Sequence, residues 1–202
     1  MSAAFAGGPL KKSKTPSETT YHPQTGDVVF QSLPHNPVID AIEGCTASPY
    51  SHCGIVVKND TGWLVLEAVG PVKETPLRNW VLQGRKWEFS VCRLKPAYQP
   101  KIEAMVSAAR EFKGRPYDIQ YEFDDAKIYC SELIFKAFRK AAGEPLGATC
   151  KLGDLNWMPH QRVIRQITGG TLPLDREMIT PRELALAKQL TLLLPFGNHL
   201  IE

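Results

Sequence analysis

Of its five cysteines, no two stand in a Cys-x-x-Cys spacing, and the count is odd. Neither a disulfide framework nor a zinc ribbon is indicated. A Cys/His site drawn from Cys45, His52 and Cys53 has poor ligand spacing, so no metal is expected. The chain also lacks a long basic block. Its densest is Lys11-Lys12-Ser13-Lys14, and the net charge is only +3, which excludes an evident nucleic-acid surface. Long hydrophobic runs are missing too. The apolar stretch from Leu190 to Phe196 falls far short of the ~20 residues a spanning helix needs, so no transmembrane segment is expected. The amino end has no apolar signal core. Ala4-Phe5-Ala6 before Gly7 resembles the tail of a cleavage site. The compartment therefore reads as cytoplasmic by default, and as periplasmic if an upstream signal has been removed.

What is present is ordinary for a globular domain: 202 residues, 43% hydrophobic and 22% charged. Residues 1–24, rich in Gly, Ser, Thr, Lys and Pro, read as a flexible tail, and 25–202 as one domain. Gly26 to Phe30 reads as a first strand, with a short helix over Val38 to Ile42. Further strands are expected at about 52–57, 63–69 and 87–93, the last carrying Cys92 as packing. Pro71 to Gly84 reads as a connection anchored by Trp80. A helix is expected from Pro100 to Lys113, stopped by Gly114, and a helix start at Thr180-Pro181-Arg182-Glu183. Residues 144–179 read as loop with one helix near 160–167. Strands first and helices after argue α+β, an antiparallel sheet packed against helices.

The segment Cys130 to Ala141 has Cys or apolar residues at 130, 133, 134, 137, 138 and 141, one face of a helix. Gly143 and Pro145 stop it. A thiol at its amino end faces unpaired N–H groups and a partial positive charge, and both favour thiolate. Taken alone, such a cysteine is more often a small buried hydrophobe than a nucleophile.

Its company changes the balance. Ser51 to Val57 and Trp63 to Val69 read as strands joined by a turn at Asn59 to Gly62. With an even loop, Lys58 faces Trp63 and His52 faces Val69. Glu67 is then the diagonal neighbour of His52 on one face, about 7–8 Å away at Cα. An odd loop would put Glu67 on the other face. His52 alone reads as a satisfied core histidine. Glu67, flanked by Leu66, Ala68 and Val69, is harder to dismiss, because a buried acid needs a partner. Cys53 points away from that pair by strand alternation. Cys45 and Cys150 sit in loop-like sequence.

Taken in order, Gly26-Asp27-Val28-Val29-Phe30, Tyr50-Ser51-His52-Cys53-Gly54, Glu67 to Val72, Gly114-Arg115-Pro116-Tyr117-Asp118, Tyr129-Cys130-Ser131-Glu132 and Ile179-Thr180-Pro181 resemble the YiiX-type branch of the permuted papain-like (NlpC-type) cysteine hydrolases. The resemblance covers roughly 21–195. It implies a papain-like fold permuted so that the histidine strand precedes the cysteine helix. It also implies Cys130 as nucleophile, His52 as base, Glu67 as orienting acid, and Tyr117 and Tyr129 lining a substrate site. Cys53 departs from the branch's pattern. No cofactor is implied. The expected activity is hydrolysis of an amide, peptide or cell-wall-peptide-like, through an acyl-enzyme. The alternatives are transfer or hydrolysis of lipid acyl groups, or a non-catalytic binding module. A peptide substrate predicts a polar groove with Arg78, Arg85 or Arg115. A lipid acyl substrate predicts an apolar channel to which Trp63, Trp80, Phe123 and Trp157 contribute.

Overall fold

A computed structural model describes residues 20–202. The expected tail over 1–24, with the basic run and the Ala4-Phe5-Ala6 motif, lies outside the described residues except at its end. There Thr20–Tyr21 forms a strand, β1, and Tyr21 is buried with its hydroxyl donating 2.8 Å to Asp27. A buried aromatic with a satisfied hydroxyl holds this segment on the domain.

The first long strand, β2 (Val28–Gln31), is buried on both faces. A ten-residue helix follows, α1 (Pro37–Thr46), longer than expected. Asn36 caps it, accepting from the amides of Val38 and Ile39, and Pro37 opens it. Cys45 lies in its last turn rather than in a loop. Strands β3 (His52–Asn59) and β4 (Gly62–Ala68) form a hairpin with Lys58 opposite Trp63 and Ile55 opposite Leu66, the even-loop register.

The supposed connection at 71–84 is instead a strand and a helix, β5 (Val72–Pro76) and α2 (Leu77–Gln83). Polar side chains on an edge strand hide the apolar alternation that marks central strands. After β6 (Phe89–Leu94), a 3-10 turn over Pro96–Lys101 precedes α3 (Ile102–Arg110). Pro100 thus sits before the α-helix, which is shorter at both ends than the expected 100–113. Then come α4 (Cys130–Ala142), closed by Gly143 at φ 79, β7 (Cys150–Lys151), α5 (Gln161–Ile167), β8 (Glu177–Met178) and α6 (Pro181–Ala185). The apolar run near the end forms β9 (Leu190–Gly197), and β10 (Leu200–Ile201) pairs in parallel with β1.

The main sheet runs β5-β4-β3-β2-β6-β9 with every neighbour antiparallel. Period-2 alternation divides its side chains. Phe30, Cys53, Ile55 and Leu66 face α3 and α4 in the larger core, while Val29, Val56, Val65 and Phe89 pack with Trp80 of α2 in a smaller one. The architecture is α+β, with helices on an antiparallel sheet as expected. Among the described residues, no helix is long and apolar enough to cross a membrane.

Candidate active site

The start of α4 lies near the start of β3, and this junction gathers the three residues singled out in the sequence. Cys130 is the first helical residue and is 3% exposed; His52 is 2% exposed and Glu67 is fully buried. His52 Nε2 donates to Glu67 Oε2 at 2.6 Å. That bond fixes the tautomer and leaves Nδ1 as the nitrogen open to the sulfur of Cys130, a neighbour that raises the ring's pKa. The hairpin register makes this pair possible, because a slip of one residue would turn Glu67 to the other face.

The carboxylate is held on all sides. Thr75 of β5 donates its hydroxyl to Oε1 at 2.5 Å, and the Gln83 amide at the end of α2 reaches Oε2 at 3.1 Å. Trp80, also of α2, is fully buried with its ring centroid 6.2 Å from that of His52. Sequence reasoning missed Thr75 and Gln83 because it read their segment as a loop. Close approach is built into the backbone here as well. A Cβ on Gly54 would come within 2.3 Å of Val65 and 3.4 Å of the Glu67 Cβ.

The helix start is pinned from the carboxyl side. Ser131 donates 2.8 Å to the carbonyl of Ile179, and the Ile179 amide donates 3.1 Å to the Tyr129 hydroxyl. The Ile179-Thr180-Pro181 motif is therefore a clamp on the residues around Cys130. Thr180 caps α6 as its sequence predicts, accepting from Glu183 N at 3.1 Å. Of the two tyrosines expected to line the site, Tyr117 borders the cleft in front of His52. Tyr129 is only 1% exposed, and its hydroxyl is occupied by Ile179.

Two openings meet here. The cleft at His52 is bounded by Asn36, Gly70 and Tyr117. Beside it, a cavity of about 760 Å³ including its solvent-open mouth runs from Cys130 between α1 and the 152–181 segment. Its walls are overwhelmingly apolar: Ala41, Ile42, Leu152, Ile164 and Met178 among them. None of Trp63, Trp80, Phe123 or Trp157 lines it, contrary to the expected aromatic channel; aliphatic side chains do. The arginines expected for a polar groove are engaged or turned elsewhere. Arg85 pairs with Glu43 at 2.8 Å, Arg115 donates to the Asp125 carbonyl, and Arg78 is exposed on α2.

Residues 22–194 match the family described as permuted papain-like amidase enzyme, YaeF/YiiX, C92 family. The chain belongs to this family. It is 33% identical over 174 residues to the uncharacterized protein YiiX of Escherichia coli (strain K12), covering 85% of this chain and 86% of that one. A crystal structure of metalloprotein yiiX from Escherichia coli O157:H7 superposes with a TM-score of 0.81 at 32% identity. That match covers 89% of this chain and 99% of the other. The permuted papain-like fold implied by the motifs is thus the fold of the chain.

In this YaeF/YiiX-type domain the electrostatics separate one thiol from the rest. Hydrogen bonding from the Cys53 side chain, aided by the His52 ring and the Cys53 amide, holds Cys130 well below the ordinary thiol range despite its burial. Burial would lower His52, but its bonds to Cys130 and Glu67 prevail and raise it to about 9. Burial opposes ionisation of Glu67, yet His52, Thr75 and Gln83 hold it below the usual carboxylate range. The pattern is that of a thiolate–imidazolium pair beside a carboxylate. By contrast, burial lifts Cys45 and Cys150 to about 11 and Cys92 to about 12. Strand alternation turns Cys53 away from Glu67, as expected, and onto the face that packs with α4.

Proposed function

We propose that this protein is a cysteine-dependent amidase in which Cys130 is the nucleophile, His52 the acid and base, and Glu67 the residue that positions His52. The observation that carries this reading is the buried Cys130–His52–Glu67 chain at the mouth of a cavity. The thiolate attacks the carbonyl carbon of the amide, and the developing oxyanion lies near the unpaired amides at the start of α4. The C–N bond breaks as the His52 imidazolium gives its proton to the departing amine, leaving a thioester on Cys130. Neutral His52 then takes a proton from water, whose oxygen attacks the thioester carbon. The acid departs and the thiolate–imidazolium pair is restored. Glu67 holds the ring orientation and stabilises its cationic state.

The solved relative is described as a metalloprotein. Among the described residues, no three His, Cys, Asp or Glu side chains group so as to hold an ion. The donor set does not fit a metal, and no step is routed through one.

The cavity favours a second reading on the same chemistry: hydrolysis or transfer of lipid acyl groups. A wall of Ala41, Ile42, Leu152 and Ile164 beside the nucleophile suits an aliphatic acyl chain better than the carboxylates of a cell-wall peptide. A screen with N-acyl amides, acyl glycerolipids and muropeptides, each against wild type and Cys130→Ala, separates the readings. Amidase action predicts release of amine from the first class, lost in the variant. Turnover of glycerolipids alone would favour the second. Turnover that survives in Cys130→Ala would overturn both.

A further inference from the structure

We propose that Tyr121 is a specificity-determining residue, whose ring divides the site into an arm for the acyl half of the substrate and an arm for the departing amine. The inference rests on the thiol acyl-transfer reading above and adds where each half of the substrate lies. The cavity and the cleft are two arms of one site, because they share Val38 and Ile42 of α1, Ser51 and Tyr121 as lining residues. Val38 and Ile42 stand four apart on one face of the helix. From the 117–121 loop, Tyr121 is the residue that borders both arms. Beyond this boundary the reactive groups separate. Cys130 lines the cavity and not the cleft, whereas His52 lines the cleft and not the cavity. An acyl group bonded to the Cys130 sulfur therefore extends between the aliphatic walls, and an amine that takes its proton from His52 leaves through the cleft.

A strained backbone holds the ring at that boundary. Tyr121 has φ 56, in the left-handed region that a bulky side chain rarely enters. Its neighbours on both sides are pinned. Buried Asp118 accepts from the Gln120 amide at 3.0 Å through Oδ1 and from the Glu122 amide at 2.5 Å through Oδ2. Arg176, itself a cavity residue, donates 2.6 Å to the Gln120 carbonyl and 2.7 Å to Glu122 Oε1. The ring then sits edge-on to Tyr117 with centroids 6.3 Å apart, and to Tyr129, the residue before Cys130, at 5.3 Å. A turn alone calls for glycine at such a φ. A tyrosine kept there by bonds to both its neighbours points to a use for the ring. At this boundary the use is steric. An acyl group branched beside its carbonyl meets the ring, and an unbranched chain passes into the cavity.

The test uses a pair of isomeric acyl groups, octanoyl and 2-propylpentanoyl, which differ by a branch next to the carbonyl. Their p-nitrophenyl esters are reacted with the full chain, with Tyr121→Gly and with Tyr121→Phe, and the adduct at Cys130 is followed by intact mass. Glycine suits the φ of this position, so Tyr121→Gly keeps the backbone, and circular dichroism checks the fold of both variants. Each rate is divided by that of the same ester with free cysteine, which removes the intrinsic hindrance of the branch. Wild type and Tyr121→Phe should favour octanoyl by about tenfold or more, and Tyr121→Gly should bring the two esters within about threefold. A Tyr121→Gly variant that keeps the wild-type ratio, or a wild type that takes both esters alike, would overturn the partition and leave the amidase reading standing. Loss of the preference in Tyr121→Phe would overturn it too, since the hydroxyl and not the ring would then set the choice. Titration calorimetry of octanoate and 2-propylpentanoate into Cys130→Ala, with and without Tyr121→Gly, supplies a readout free of turnover. If neither ester acylates Cys130, the amidase reading falls and these affinities decide on the ring. A preference for octanoate that Tyr121→Gly removes supports the partition, and an unchanged ratio overturns it.

Discussion

Replacing Glu67 by Gln removes one charge while keeping the shape of the side chain. The carbonyl of the introduced amide can still accept from His52 and from Gln83, and its NH2 group can donate to the Thr75 hydroxyl. The hydrogen-bond inventory therefore closes, and the fold is expected to survive. What is lost is a fully buried carboxylate 2.6 Å from the imidazole. A charge-assisted bond of this kind contributes about 1.5–3 kcal/mol. That corresponds to roughly 10- to 150-fold in kcat/KM, if the imidazolium is the species that loses the support. The same energy moves the His52 pKa down by roughly 1–2 units. On the proposed mechanism activity requires the ion pair, so it is held between the pKa of Cys130, well below the ordinary thiol value, and that of His52 at about 9. In the variant the alkaline limb should fall to roughly pH 7–8. The assay is the pH profile of iodoacetamide alkylation at Cys130, read beside turnover, with a urea denaturation midpoint as the check on folding. A folded Glu67→Gln variant whose alkaline limb stays at about 9 and whose rate stays within about twofold would refute the role given to the carboxylate.

Two further predictions concern stability. Gly54→Ala puts a methyl group within 2.3 Å of Val65 and 3.1 Å of the Leu66 carbonyl, so overpacking should destabilise the protein by about 1–3 kcal/mol, read as a lower denaturation midpoint; an unchanged midpoint would show that the hairpin yields easily. Glu132 is buried behind Cys130, bonded 2.7 Å to Lys136, and burial raises its pKa to about 7 against 4.5 in the open chain. The fold therefore favours its protonated form, and the stability it contributes is full below about 4.5 and lost as pH rises through about 7. Glu132→Gln should thus gain on wild type in thermal midpoint between about pH 5 and pH 8, and a difference that moves the other way contradicts the assignment.

The sequence pointed to the three side chains that meet at the α4–β3 junction because each sits on a regular element with a strong period. Cys130 is fixed by the apolar face and stop signals of α4, and the β3–β4 register follows from one short loop. The α+β class was legible from the order of those elements. What stayed hidden lies where periodicity is weak. β5 and α2 alternate polar and apolar residues irregularly, so the chain gave no sign that Thr75, Trp80 and Gln83 surround the His52–Glu67 pair. β9 read only as an apolar run, since an edge strand with Leu192 and Leu193 exposed shows no inside and outside. The cavity is assembled from α1 and the 152–181 segment, more than a hundred residues apart, and its aliphatic walls look like ordinary core positions in sequence. The surroundings of Cys53 stayed hidden for a geometric reason. Alternation correctly separates it from Glu67, but it cannot tell that the opposite face meets the helix bearing Cys130.

The most direct measurement is intact-mass detection of an acyl-enzyme after rapid acid quench with an activated acyl ester. The account predicts a single acyl adduct that maps to Cys130, is released by hydroxylamine, and is absent from Cys130→Ala. Its formation should slow to about a tenth or less in His52→Ala. An adduct on Cys45, Cys92 or Cys150, or one that forms equally well without His52, would contradict it.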